Sequence, residues 1–337
     1  MLQGMTRTVS FAAMLLAFSA WLAAFAAAPA RAQPDSDYPN RLIRVISPVA
    51  PGGISDLVAR AVAQHLSDTF HQQAVIENKA GGNFQIGINY LTSQPADGYN
   101  LIVLQEGAVV LNPHLYAGKL SYDPDKDLAP ISAITKVEQV LLVHPSVPAN
   151  NVAEFLALAK EKPGSVTVAS FGPGTPPSLF TEMLHLMVPG TRFNTVMYRG
   201  AAPMLTDVAA GHVNATFISV GQALPLYREG KVKILATLSL QRLSVLPDVP
   251  TMAETVPGFE GTAWHGLFAK AGTPQPIIDK LNAEMRRMAA DPGFQERVLA
   301  PNYFRSIAGS TADMTAMIKT ESAKWKKFVA EAKITVE

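Results

Sequence analysis

The sequence predicts an α/β fold with largely parallel sheets, and three observations carry that prediction. Short apolar runs alternate with helix-period segments from one end of the chain to the other. Two predicted strands empty into Gly/Pro/Ser-rich loops that open helices, at Ala50–Asp56 and Ser170–Ser178, and Tyr198–Pro203 has the same form. The length, 337 residues, suits two domains or one large one. In open α/β sheets ligands sit beyond the carboxyl ends of strands, so two such loop faces opposed would make a cleft.

The first 32 residues read as a cleaved signal peptide rather than as part of the fold. Arg7 supplies a positive n-region, Phe11 to Ala28 is apolar and alanine-rich, and Ala30-Arg31-Ala32 is a small-x-small cleavage site. A lone arginine points to the general secretory route, hence to a periplasmic protein. Removing these residues leaves 305 of 337 and takes away two arginines and no acid, so 26 basic side chains face 27 acidic ones. A near-neutral chain has no electrostatic footprint for nucleic acid or an anionic membrane. With no cysteine there is no disulfide framework, thiolate metal site or cysteine nucleophile.

The elements follow in order. Leu42–Ile46 reads as a strand, and Ser55–Phe70 as a helix with Leu57, Val58, Ala61, Val62, Leu66 and Phe70 on its inner face. Ala74–Glu77 is a second strand, Phe84–Thr92 a short helix and Leu101–Leu104 a third strand. Ile131–Val143 contains a long extended segment, and a second cycle begins near Val137. There Asn151–Lys160 is helical, Val166–Ala169 a strand, and Thr175-Pro176 caps a helix through Leu186. Thr195–Met197, Ala215–Val220 and Lys233–Thr237 are strands, with Ala202–Ala210 a helix closed by Gly211. The chain returns to the first domain near Gly258–Trp264, and Pro276–Ala290, Thr311–Met317 and Glu321–Ala332 are helical.

The segment Pro51-Gly52-Gly53-Ile54-Ser55-Asp56 concentrates the chemistry. Adjacent glycines admit backbone conformations closed to other residues and let a ligand approach closely. The first amides of a helix have no partner within it and are free to hold an anion. The same residues also read as an ordinary strand-to-helix turn, with Asp56 supporting the helix start.

Catalytic motifs do not accompany this loop. Gly172-Pro173-Gly174-Thr175-Pro176-Pro177 begins like a dinucleotide fingerprint, but Pro177 stands where the third glycine is required. There is no P-loop, no G-x-S-x-G elbow and no H-E-x-x-H, and the seven histidines show no metal-ligand spacing. No cofactor or metal is expected.

The chain resembles the Bug-type (TctC-like) extracytoplasmic solute-binding receptors of tripartite tricarboxylate transporters. The matching pieces are Pro51-Gly52-Gly53-x-x-Asp56, Glu77-Asn78-x-x-Gly81-Gly82 and Pro95-x-Asp97-Gly98-Tyr99. Later come Asn112-Pro113-x-Leu115-Tyr116, Tyr198-Arg199-Gly200, Asp207-x-x-x-Gly211-His212, Leu246-Pro247-Asp248-Val249-Pro250-Thr251 and Trp264-x-Gly266-Leu267. They span nearly the whole chain, in order.

The resemblance implies a two-domain Venus-flytrap fold of the periplasmic-binding-protein kind, type II-like with two crossovers. Residues 33–136 plus 256–337 would form one domain and 137–255 the other. It implies capture of a small organic acid and delivery to a membrane permease, without catalysis and as a monomer. Carried over by position, the first-domain contacts would be Ala50, Pro51, Gly52, Gly53, Ser55 and Asp56, with Asp56 orienting the loop or receiving a ligand amine. Second-domain contacts would come from Ser170, Gly172, Gly174 and Thr175, and from Tyr198, Arg199 and Gly200.

The chain departs from the family pattern at Glu106, Gly107, Ala108 and Val109, where small hydroxyl residues are usual. If Glu106 faces the cleft, a ligand carboxylate beside it would be repelled; if it faces solvent, Ala108 and Val109 make an apolar wall. Pro176-Pro177 also replaces polar residues, and proline brings no amide hydrogen. Both departures argue against a small dicarboxylate. An exported hydrolase-like enzyme with a scattered Ser-His-Asp set, or a ligand sensor for a membrane signalling partner, are the competing readings.

Overall fold

A computed structural model describes residues 37–172 and 175–332. The expected signal segment, 1–32, and Gly174 lie outside the described residues. The chain divides into Met1–Tyr38 and one compact unit, Pro39–Glu337, which holds the strands and the longer helices.

The strands are β1 (Ile43–Ser47), β2 (Ala74–Asn78), β3 (Asn100–Gln105), β4 (Leu128–Val143), β5 (Val166–Ser170), β6 (Phe193–Met197), β7 (Ala215–Ser219), β8 (Lys233–Thr237), β9 (Thr262–Lys270) and β10 (Phe304–Ser306). The longer helices are α1 (Ile54–Phe70), α2 (Gln85–Ser93), α3 (Val152–Glu161), α4 (Pro176–Met187), α5 (Ala201–Ala209), α6 (Val220–Arg228), α7 (Gln275–Ala290) and α8 (Thr311–Ala332).

Two groups of strands share β4. The order runs β2-β1-β3-β9-β4-β7-β5-β6, with β8 and β10 also on β4. Within each group the loop-bearing strands are parallel: β1 with β2 and β3, β5 with β6 and β7. The partner of β4 changes within one peptide link, because pairing with β9 reaches Glu138↔Thr262 and pairing with β7 begins at Gln139↔Ser219. The chain crosses a second time through residues 238–261, tied by Leu238 N to Gln139 O at 2.9 Å and Gly261 N to Leu238 O at 2.8 Å.

Side-chain alternation divides the first sheet into two faces. Ile46, Ile102 and Leu104 join Ile88 and Leu91 of α2, Trp264, and Met314 and Trp325 of α8 in the main core. On the other face Val45, Leu101 and Val103 are fully buried, and α1 packs on β1 and β3 through its inner Val58, Val62 and Leu66. Burying each such aliphatic side chain contributes about 1.5–3 kcal/mol.

Most expected elements appear within a residue or two of their expected bounds. The tail segments Thr311–Met317 and Glu321–Ala332 are one 22-residue helix. Helix α6 was not expected, since Pro225 lies inside it and Gly221 near its start, and both residue types read as breakers. Gly221 is needed for close approach: a Cβ there would meet the backbone oxygen of Asn302 at 2.8 Å.

Candidate functional site

The loop between β1 and α1 is held open toward solvent by its own chemistry. Gly52 adopts φ +90°, a conformation that favours glycine. Gly53 is the N-cap residue in an extended conformation, so α1 starts with no side-chain cap. The first intrahelical bond is Leu57 N to Gly53 O, 3.0 Å, which leaves the preceding amides of the first turn as donors without an acceptor in the helix.

Asp56 fixes this loop. Its Oδ2 accepts from the Gly52 amide at 3.0 Å and from Arg60 Nε at 2.9 Å, and its Oδ1 from Asn78 Nδ2 at 2.7 Å. Asn78 also donates to Val49 O at 3.0 Å, so β2 and the loop are stitched together. Burial pushes the Asp56 carboxyl up, but the donors Gly52, Arg60 and Asn78 outweigh it and hold it below its ordinary value. Of the two expected roles, the contacts match loop orientation, with both oxygens engaged by protein donors. Ala50, Pro51 and Gly52 are exposed, and Ser55 is buried beneath them.

The second group of strands presents a cradle poorer in amides. Thr175 stands at the N-cap of α4, but its hydroxyl donates to Gly172 O at 2.6 Å and makes no cap hydrogen bond, contrary to expectation. Pro176 and Pro177 follow, so the first two helical positions have no N–H. Ser170 Oγ lies 3.4 Å from Thr175 Oγ1 and accepts from Gly172 N at 3.4 Å, which gathers these residues into one corner. Tyr198 joins it, its amide donating to Ser170 O at 2.8 Å. Its hydroxyl donates to Asp207 Oδ2 at 2.7 Å, and burial together with that carboxylate raises the phenol to about 12. Arg199 is exposed, and Gly200 is the N-cap of α5.

Glu106 and Ala108 are placed elsewhere. The chain leaves β3 at Gln105 and winds into a π-helical turn, Gly107–Leu111. Glu106 is 6% exposed, and its Oε2 accepts from the Trp264 amide at 3.1 Å. Burial, then the nearby Glu321 of α8, pushes its carboxyl well above the usual range, which favours the protonated form over an ordinary carboxylate. Ala108 and Val109 belong to the main core, and Ala108 O accepts from the buried Tyr122 hydroxyl at 2.6 Å. Of the two orientations considered for Glu106, the solvent-facing one is not adopted, and Ala108 is buried with it. Gly107 is buried as the first residue of the turn.

One polar residue of this region was missed. His265 of β9 is 2% exposed, and its Nε2 lies 3.1 Å from Ser55 Oγ, in the first turn of α1. Burial lowers its pKa to about 4, so the ring is neutral at pH 7. Its only sequence signal was its place as the variable position of Trp264-x-Gly266-Leu267. A serine–histidine contact supplies two members of a nucleophilic triad, but no carboxylate bonds the other ring nitrogen, Nδ1. Among the described residues no cluster of His, Asp and Glu could hold a metal ion, and no helix is long and apolar enough to cross a membrane.

Comparison with known proteins points the same way. Residues 58–334 match the family described as "Tripartite tricarboxylate transporter family receptor". The chain is 32% identical to "Protein BugT" of Bordetella pertussis over 296 residues, 87% of this chain and 90% of that one. A structure described as "R. palustris Rpa4515 with adipate" superposes with a TM-score of 0.80 at 31% identity, covering 89% of this chain and 99% of that one. "MatC (Rpa3494) from Rhodopseudomonas palustris with bound malate" gives 0.77 at 30% identity, covering 87% and 100%. The fold is thus the two-domain periplasmic-binding-protein kind expected from sequence.

Proposed function

Because the chain belongs to the receptor family of the tripartite tricarboxylate transporters, we propose that it captures a small carboxylate-bearing solute between its two halves and hands it to a membrane permease. The observation that carries this reading is the uncapped start of α1 behind the Gly52-Gly53 loop, braced by Asp56. Free amides and the positive end of the helix dipole bind an anion without a charged side chain. The bound adipate and malate of two relatives are acids of this class. Export to the periplasm, with loss of residues 1–32, belongs to the same proposal, as does action as a monomer. So does the division into domains, 33–136 plus 256–337 and 137–255, with the Glu138–Gln139 link close to their boundary.

The buried position of Glu106 bears on the ligand. A buried carboxyl with a raised pKa, occupied by the Trp264 amide, repels a ligand carboxylate less than an exposed one would, which weakens that objection to dicarboxylates. The two prolines of α4 remain, and they make the second grip weaker in backbone donors than the first. The proposed contacts are therefore Ala50 to Ser55 at one end, and Ser170, Gly172, Thr175 and the Tyr198–Gly200 loop at the other.

A thermal-shift screen of aliphatic dicarboxylates, aromatic acids and amino acids tests the reading. A ligand at 100 times its Kd adds about 2.7 kcal/mol to stability, an easily measured rise in Tm. If only non-acidic solutes stabilise the protein, the carboxylate assignment is wrong. Labelling of Ser55 by a serine-directed phosphonate would point instead to a hydrolase.

A further inference from the structure

Strand parity sends His265 to the face of the first sheet that α1 covers. In the pairing of β9 with β3, Leu267 lies opposite Val103 and His265 opposite Gln105, and Val103 is one of the fully buried residues beneath α1. His265 Nε2 meets Ser55 Oγ at 3.1 Å, in the first turn of that helix. Among the described residues neither side chain has another hydrogen bond, and the second ring nitrogen, Nδ1, is buried without a partner.

Burial keeps the ring neutral at pH 7, so the pair holds two polar hydrogens, one on the imidazole and one on the hydroxyl. A single contact can use only one of them, and the other is left over. If the ring carries its hydrogen on Nδ1, the left-over donor is that N–H, sealed in the interior with no acceptor, where it forfeits hydration without return. If the ring carries it on Nε2, the histidine donates to Ser55 Oγ, Nδ1 is a bare lone pair, and the left-over donor is the hydroxyl. That hydroxyl belongs to the first turn of α1, beside the amides that have no acceptor in the helix. The second arrangement moves the unspent hydrogen out of the closed interior to the place where an anion would meet it.

We propose that His265 is a positioning residue of the ligand site: its Nε2–H donates to Ser55 Oγ, so that the Ser55 hydroxyl gives its own hydrogen to the solute carboxylate held at the start of α1. The inference rests on the carboxylate-receptor reading and deepens it, by naming what makes Ser55 a donor. A serine free to rotate offers a hydrogen or a lone pair alike. One that already accepts from a histidine offers its hydrogen, which favours a carboxylate over an ammonium group at that point. The same tautomer leaves Nε2 without a lone pair, so His265 cannot take the proton of Ser55, and the two do not work as nucleophile and base.

Ring tautomer and binding are tested together. Nitrogen-15 spectra of the ligand-free protein, with the His265 signals identified by their loss in His265→Gln, should show a neutral ring with its hydrogen on Nε2. A hydrogen on Nδ1 overturns the positioning role whether or not any acid binds. Calorimetric titration with adipate, malate, succinate and benzoate then compares the parent with Ser55→Ala, His265→Leu, the double variant, and His265→Gln, whose side-chain amide can donate near the Nε2 position. For the acid that binds the parent most tightly, Ser55→Ala and His265→Leu should each lose about tenfold or more in affinity, the equivalent of one hydrogen bond to a charged group. The double variant should fall within about twofold of the weaker single variant, and His265→Gln should recover most of the loss. A histidine that only packs would weaken binding in the Ser55→Ala background as much as in the parent. Losses that add in the double variant, or a His265→Leu affinity within about twofold of the parent, therefore overturn the role. If His265→Leu does not fold, the tautomer decides alone. If none of the four acids binds the parent, the carboxylate-receptor reading falls and takes this role with it, even with the hydrogen on Nε2.

Discussion

Asp56 Oδ2 accepts the amide of Gly52 at 3.0 Å, so the loop that opens α1 is tied back onto the helix it opens. The other oxygen, bonded to Asn78, extends the tie to β2. Replacing Asp56 with Ala strands the Gly52 amide and the Asn78 side-chain amide together. The expected loss is about 1–3 kcal/mol of stability, read from chemical denaturation, with a parallel loss of ligand affinity. Since the carboxyl is held below its ordinary value, its contribution is present above pH 3.8 and disappears as pH falls through the native value. Equal stability of parent and variant at pH 7 would remove Asp56 from the brace.

The two glycines should respond differently. Gly52, at φ +90°, loses about 1–2 kcal/mol when replaced by Ala, because a Cβ is strained there even in open space. Gly53 has an ordinary φ, and its nearest prospective Cβ neighbour, Val49 Cγ2, is 3.5 Å away. Gly53→Val should therefore leave Tm within a few degrees of the parent and abolish binding by covering the helix amides. Unchanged affinity would take the loop out of the site.

Glu106 sets a pH dependence of opposite sign to that of Asp56. Below pH 4.5 its carboxyl is protonated in both the folded and unfolded chain. Above that value the unfolded chain releases the proton while the folded one keeps it, so the unfolded state binds fewer protons and stability falls as pH rises. Glu106→Gln keeps an acceptor for the Trp264 amide and removes the decline. The variant should match the parent near pH 4 and exceed it in Tm near pH 8; a parent that melts higher at both pH values would refute the raised pKa of Glu106.

Gly221 offers a test of closure. Its backbone touches Asn302, which lies just before β10, while Gly221 follows β7 in the second group of strands. A methyl group at 2.8 Å from the Asn302 oxygen must push the two segments apart. Overpacking of this kind costs roughly 1–3 kcal/mol. Gly221→Ala is expected to weaken ligand binding by about 5- to 150-fold, the binding-constant equivalent of that range. X-ray scattering should show a more open particle, and an unchanged profile with unchanged affinity would exclude this contact from the closing motion.

The alternation of elements, the glycine loop and the long crossover segment were legible because each is a local pattern. What sequence could not give was direction. Periodicity fails at Glu106, because β3 stops at Gln105 and the π-helical turn begins at Gly107, re-aiming the side chain toward the Trp264 amide. His265 carried no signal beyond its place in Trp264-x-Gly266-Leu267. Its contact with Ser55 joins residues 210 positions apart, and strand parity puts Trp264 on one face and His265 on the other. Thr175 was recognised as the start of α4, but its hydroxyl found a nearer acceptor in Gly172 O than the helix amides it was expected to cap.

A single strand of 16 residues, β4, serves both groups of strands, and its partners change across the peptide link from Glu138 to Gln139. If the two groups of strands are the proposed halves, this link would act as an axle, with a ladder clamped to the shaft on each side. Rotation about it must be absorbed as twist in a strand whose hydrogen bonds resist shear, unlike a loop that swings freely. The jaws should accordingly open through a limited arc and spring back. Capture would then be governed by how quickly a solute settles into an almost finished site, and handover by how firmly a docked permease can wring the shaft.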